Sequence, residues 1–359
     1  MSTTTSHAGA SGRGRRRQEL RLQRPHMNRE QRVSLSCEPP SPPGPGEILV
    51  RVQAHGVNQA DHALCTGAEP QPGVHGAPFM YGIGAAGTVI AAGDHVTRFA
   101  VGDEVFGHFV AESWAWVQGP CARTTADGPH IEHRPEGLDP LAAAALVEAG
   151  LTAKTIVRAA EVRPGQTTLV IGATCGAGTV LVPLLADAGA HVIAGAIPDD
   201  DDYVRSLGAA DTIEHTTADR VTDALTSLPD VDLFVDLVNF GEPYLITATA
   251  NTGTILTGLP VADQPGIPRI PISAEPGDLA ALAQHALDGR LPGELTYVYR
   301  LETVGQAAPA KRRPAAQPAL ALGGQDALPE LSTGGWRRLP DGRPSMSTPS
   351  RSGGPGRDG

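Results

Sequence analysis

Three glycines, Gly172, Gly176 and Gly178, stand between a short β-branched, apolar run (Thr168–Ile171) and an apolar stretch at helical spacing (Thr179–Ala188). Glycines lack a Cβ, so backbone N–H groups can come close to a phosphate, and a helix starting there adds its positive end. Strand, glycine turn and helix together describe an anion cradle suited to the pyrophosphate of a dinucleotide. The spacing Gly172-x-x-x-Gly176-x-Gly178 is not the G-x-G-x-x-G fingerprint. A glycine turn serving no nucleotide would look similar, so the rest of the chain has to decide.

Other residues that could do chemistry are scattered. Cys37, Cys65, Cys121 and Cys175 form no C-x-x-C pair, which points to neither a structural zinc nor a disulfide framework and makes a reducing, cytoplasmic compartment the expectation. The consecutive carboxylates Asp199–Asp202 cannot converge easily on a metal and suit the start of a helix at Tyr203–Leu207. Trp114 and Trp116 share one face of a strand expected over 112–118, which reads as barrel wall.

The positioning elements follow from periodicity. After a Pro/Gly-rich lead (Pro39–Gly46), an alternating strand is expected over Glu47–Ala54, then short strands with glycine turns in Pro78–Gly93 and Val96–Gly107. Short strands at close intervals are the signature of a small β-barrel. Asp139–Ala160 reads as two helices broken at Gly150, and Pro164-Gly165 turns the chain into the central unit. Strands at His191–Ala194, Asp211–Glu214, Val231–Leu237 and Gly253–Thr257, with a helix at Ala218–Ser227, imply a parallel sheet. A helix at Asp278–Leu287 and a strand at Gly293–Tyr299 complete the pattern.

The formal charge of −11 is unevenly spread. Residues 1–36 hold eight Arg against two Glu, and residues 309–359 hold eight basic against four acidic residues. The middle keeps twelve basic and thirty-three acidic residues, a body that repels nucleic acid. No run of about eighteen apolar residues suggests a membrane span. Residues 1–36 read as a disordered basic extension, with a transit peptide or a true start at Met27 as alternatives. Residues 308–359, dense in Pro, Gly, Arg and Ser, read as a disordered tail.

Three segments in order, GEILVRVQAHGVNQAD, VTRFAVGDEVFG and GLTAKTIVRAAEVRPGQTTLVIGATCGAG, resemble medium-chain dehydrogenases/reductases, and more narrowly their zinc-free NADPH:quinone oxidoreductase branch. The resemblance runs from about Pro39 to about Ala307. It implies an α/β protein in which a GroES-like β-barrel domain (37–149) precedes a Rossmann-type doubly wound parallel sheet (150–268), with a return to the substrate domain over 269–307. The tail 308–359 then stands where the family has its last helix and strand, which would leave a sheet edge bare. The active site would lie in the cleft between the domains.

Where zinc-dependent members carry Cys and Gly-His-Glu, this chain has Asn58 and Gly82-Ile83-Gly84, none of them a zinc ligand. The four-cysteine zinc loop is also missing, so no metal is expected. A conjugated acceptor, a quinone or an enone, then suits hydride chemistry carried by the cofactor. By resemblance, Asn58 is the catalytic candidate and contacts the nicotinamide side. Thr152 helps hold the cofactor, Ala173, Thr174, Gly176 and Ala177 lie along the pyrophosphate, and Gly195 lies near the ribose. His62 and Tyr81 are the nearest candidates for a proton donor.

The run Ala194-Gly195-Ala196-Ile197-Pro198 offers no carboxylate to the ribose before Asp199, which leaves room for a 2′-phosphate and points to NADPH. Arg205 is the nearest cation. A homodimer is a family expectation. A short-chain dehydrogenase fails, since neither Lys154 nor Lys311 has a Tyr four residues before it. The remaining alternative is a catalytically impaired or repurposed NADPH-binding protein of the same fold.

Overall fold

A computed structural model of the chain describes residues 19–22, 33–36, 42–56, 84–109, 117–118, 121–228, 230–238, 252–257, 273–291, 295–300, 317–321, 336–338 and 344–346. Residues 1–322 form one unit and 323–359 a second. The second holds an antiparallel strand pair, Trp336–Arg338 with Pro344–Met346.

In the first unit, strands β1 (Glu19–Leu22) and β2 (Val33–Ser36) pair antiparallel. A curled, mostly antiparallel sheet is built from β3 (Glu47–Gly56), β4 (Gly84–Ala92), β5 (Glu104–His108), β6 (Val117–Gln118), β7 (Cys121–Thr125) and β8 (Ile131–His133). Ile48, Val50 and Val52 of β3 point into a core with Ala85, Val89, Val105 and Ile131, while Arg51 between them is exposed. That period of two holds one face of the strand in the barrel. Thr88 Oγ1 donates to Glu104 Oε1 at 2.7 Å across the β4–β5 pair, and Arg134 holds the other oxygen of Glu104.

Helix α1 (Pro140–Ala160) is a single element of 21 residues. Pro140 starts it, Asp139 Oδ1 accepts from the N–H groups of Leu141 (2.8 Å) and Ala142 (3.3 Å), and Glu161 ends it in the left-handed region. The expected break at Gly150 does not occur. A Cβ there would lie 2.6 Å from Leu282 Cδ1, so Gly150 serves the close approach of helix α5 (Asp278–Leu287). By length and composition alone α1 could cross a membrane, unlike the sequence expectation, but 61 % of its apolar window is buried inside the protein. Its alanines let two sheet residues press on it: a Cβ at Gly56 would be 2.6 Å, and one at Gly84 3.1 Å, from the Ala144 carbonyl.

The second sheet contains β9 (Thr167–Ile171), β10 (His191–Ala196), β11 (Asp211–Glu214), β12 (Val231–Asp236) and β13 (Thr252–Thr257), in the order β11-β10-β9-β12-β13. All four pairings are parallel. Helix α2 (Gly176–Asp187) runs through Pro183 on one face, over Val170, Val192 and Val235. Helix α4 (Ala218–Ser227) covers Leu169, Ile193 and Phe234 on the other. Between them lie a short 3-10 turn, Pro198–Asp200, and helix α3 (Asp201–Ser206). Both faces are buried, which is why the strands read as apolar runs with no alternation.

Short strands also occur in stretches that the sequence does not mark as strands. The tail expected to be without structure from residue 308 contains β15 (Gln317–Ala321). It pairs parallel with β14 (Leu295–Arg300) and antiparallel with β3, with Ala319 opposite Gly56 and Ala321 opposite Ala54. Residues 54–56 of β3 are therefore paired, where the absence of the family's last strand was expected to leave a sheet edge bare. The second strand pair in the tail and the pair β1–β2 lie in stretches read as disordered. Strands of three to five residues in Pro-, Gly- and Arg-rich surroundings carry too short a period to read, and only the pairing partner defines them.

Candidate functional site

Strand β9 lies at the centre of the parallel sheet. The chain goes from it to β10 and β11 on one side and returns to β12 and β13 on the other. The C-terminal ends of β9 and β12 therefore flank a topological switch point, where α/β sheets bind their ligands. The glycine turn leaves β9 there. Gly172 adopts φ +87°, which a residue with a side chain rarely does. A Cβ on Gly178 would collide with the carbonyl of Gly172 and lie 2.8 Å from Ala173 Cα. The turn closes through Cys175 N–H to Gly172 O (2.9 Å) and Thr179 N–H to Cys175 O (2.9 Å).

Cys175 caps α2 with its side chain, the Sγ accepting from Gly178 N–H at 3.4 Å. Burial, with the nearby Asp236 carboxylate adding to it, pushes the thiol up, so it stays protonated and inert. Asp236 is 1 % exposed, pairs in register with Ile171 of β9 and accepts from Val238 N–H at 2.9 Å. Ala173 and Thr174 are buried in the turn, and Gly176 and Ala177 open α2. These four sequence candidates thus come together at the switch point. Glycines that admit no side chain and a helix N-terminus aimed at the strand ends fit a dinucleotide pyrophosphate.

Thr152 lies on α1, half-buried, and its Oγ1 donates to Glu148 O at 2.7 Å. Its helix packs against α2. Gly195 lies on β10, but its missing side chain faces inward, where a Cβ would be 2.8 Å from Ile171 Cδ1 and 3.3 Å from His215 Cβ. The space it leaves is filled by core. Arg205, the nearest cation at the end of β10, is held by Asp201 at 2.9 Å and by the carbonyl of Ala210 at 2.8 Å. Asn58, His62 and Tyr81, with Trp114, Trp116, Cys37 and Cys65, lie outside the described residues.

Sequence reasoning passed over one pair. His108 Nε2, at the end of β5, lies 3.2 Å from Glu148 Oε1 on α1. Burial pushes the Glu148 carboxyl up to about 7 and lowers His108 to about 4. Both groups are thus driven toward their neutral forms, with the proton on the carboxyl. His130 stands beside His108, with ring centroids 6.2 Å apart, and is itself lowered by burial and by His108. The available signal was Glu148 itself, the one charged residue between Asp139 and Lys154 in an otherwise apolar helix. Among the described residues no group of three or more His, Cys, Asp or Glu is placed to hold a metal.

The profile of the alcohol dehydrogenase GroES-like domain matches residues 44–165. A quinone oxidoreductase of Pseudomonas aeruginosa is 33 % identical over 184 residues, covering 49 % of this chain and 53 % of that protein. The quinone oxidoreductase of Coxiella burnetii superposes with a TM-score of 0.73 at 19 % identity, over 86 % of this chain and all of that one. Residues 44–165 thus match a GroES-like domain, and the chain shares the fold of these quinone oxidoreductases. A mycobacterial member of this fold, complexed with NADPH, superposes with a TM-score of 0.68 at 20 % identity, over 85 % of this chain and 99 % of that one. The chain spans about half the length of the curated relatives it matches.

Proposed function

We propose that this protein is an oxidoreductase that reduces a quinone or another conjugated carbonyl with a nicotinamide dinucleotide, without a metal. The observation that carries the reading is the glycine turn Gly172–Gly178, placed at the switch point between β9 and β12 in a medium-chain dehydrogenase/reductase fold. The bound nicotinamide supplies the hydride, and the protein binds, orients and shields it. Gly176 and Ala177 at the start of α2, with the buried backbone of Ala173 and Thr174, hold the pyrophosphate. Thr152 steadies the nicotinamide half, and Asn58 is the residue proposed to touch the reacting ring.

NADPH in preference to NADH rests on the neutral run Ala194–Pro198. With Arg205 committed to Asp201, no charge from that side chain reinforces the preference. The reading of a metal-free site rests on Asn58 and Gly82-Ile83-Gly84. The rival, a cofactor-binding protein of the same fold without turnover, rests on the unusual C-terminal tail, part of which pairs with β3 as β15. Consumption of NADPH and of NADH over a panel of quinones and enones tests the reading. Acceptor-dependent oxidation supports it, and tight binding with no turnover on any acceptor favours the rival.

A further inference from the structure

Helix α1 is the element shared by both halves of the site. It packs on β3, β4, β5 and β15 of the curled sheet and on α2 below the glycine turn. Gly56 and Gly84, which bound segment 57–83, both press on α1 at Ala144, and Gly84 also at Val147. The next residue is Glu148, and Thr152 follows one turn on, bonded to the Glu148 carbonyl. The only carboxylate of this apolar stretch therefore stands where the curled sheet, the ends of that segment and the cofactor helix meet.

The surroundings of Glu148 are unusual for a structural acid. Its Oε1 and His108 Nε2 are enclosed and lie 3.2 Å apart without hydrogen-bond alignment. The two side chains still keep 16 % and 21 % of their surface, so the pair is not sealed. Of the other titratable groups on the packed elements, Glu104 is held by Arg134 and Thr88, and Asp278 by Arg158 at 3.2 Å. His55 lies on β3 and His285 on α5, two of the elements packed on α1, and His130 flanks His108. Among the described residues no Lys or Arg forms an ion pair with Glu148, and a buried carboxyl facing only a neutral imidazole keeps its proton.

We propose that Glu148, backed by His108, is the acid that delivers a proton to the oxygen of the reduced acceptor. The proposal rests on the reductase reading above. A nicotinamide dinucleotide, when bound, would supply a hydride to the conjugated acceptor as its C4–H bond breaks, and the acceptor would be left with an enolate or phenolate oxygen. The Glu148 O–H bond breaks, the acceptor oxygen takes that proton, and the carboxylate left behind is stabilised by proximity to His108. One proton from water, relayed by His108, restores the acid, so each turnover consumes one proton.

The test uses the full chain. Without cofactor, infrared titration of the wild-type protein should show a carboxylic C=O band that disappears near the value of Glu148 and is absent from Glu148→Gln. With NADPH and 1,4-benzoquinone, kcat should fall as pH rises through that value, because the acid form is the donor. Glu148→Gln should lower kcat by about a hundredfold or more with KM little changed, and flatten the profile. Glu148→Asp, which keeps the acid but shortens its reach, should retain the pH profile at reduced kcat, and His108→Asn should move its midpoint. A wild-type kcat and pH profile in a folded Glu148→Gln would overturn the proposal while leaving the reductase reading intact. Absence of the titrating band would overturn it without reference to turnover. If the wild type oxidises neither NADPH nor NADH with any acceptor, both fall together.

Discussion

Gly178 sits against the carbonyl of Gly172, so close that a Cβ cannot be placed between them. Both neighbours of the missing side chain are backbone, which cannot move aside as a flexible side chain could. Gly178→Ala should destabilise the protein by about 1–3 kcal/mol through a forced shift of the turn. It should also weaken nucleotide binding by at least tenfold. Thermal unfolding and calorimetric titration with NADPH measure the two effects separately.

The opposed shifts of Glu148 and His108 predict a pH signature in stability. The native Glu148 carboxyl titrates near 7, above its ordinary 4.5, so between those values the native state holds more protons than the unfolded chain. Stability from this group therefore falls as pH rises through that window. His108, lowered from 6.5 to about 4, holds fewer protons when folded, and its contribution rises with pH over that range. The two nearly cancel in the wild type between about 4.5 and 6.5. Glu148→Gln uncovers the histidine slope and should gain on the wild type by about 1.4 kcal/mol per pH unit across its window. Denaturant melts from pH 4.5 to 7.5 check the sign.

Arg158 on α1 ties down the segment that carries α5. It meets Asp278 at 3.2 Å, Glu275 at 3.0 Å and the Ser273 carbonyl at 3.1 Å. Asp278 is 6 % exposed and also accepts from Glu275 N–H. Asp278→Ala takes one of two carboxylates from the Arg158 guanidinium and leaves the Glu275 N–H without its acceptor, and should cost about 1–3 kcal/mol. Equilibrium urea unfolding of the variant and of Asp278→Asn measures it, with the smaller loss expected for Asn.

Strand β15 makes a further prediction. Deleting residues 317–321 removes the partner of Ala54–Gly56 and leaves the β3 edge open. An open edge pairs with other chains. The deletion should lower the melting temperature and produce concentration-dependent association, seen by light scattering, that the full chain does not show.

The parallel sheet was legible because both of its faces are buried and its strands stand out as short apolar runs bounded by glycines; the helix at Ala218–Ser227 was legible to the residue. That Ala173, Thr174, Gly176 and Ala177 share one turn could be read because glycine spacing is local. Gly150 misled, since a glycine in a helical period looks like a stop and only Leu282, 132 residues on, shows that it is a contact. The packing at Gly195 was equally hidden: its missing side chain faces Ile171 and His215, which no local pattern reveals. The His108–Glu148 pair joins a barrel strand to a helix 40 residues later, a relation set by tertiary packing alone. Strand β15 was hidden because five residues with a proline have no period of their own.

On the proposed reading, the Gly172–Gly178 turn holds a nicotinamide dinucleotide for hydride transfer. The most direct measurement is NADPH oxidation by the purified full chain in the presence of 1,4-benzoquinone, run beside Gly178→Ala. The account predicts acceptor-dependent oxidation by the wild type and its loss in the variant. Failure of the wild type to bind either nicotinamide dinucleotide in calorimetry, with no oxidation on any acceptor, would contradict it.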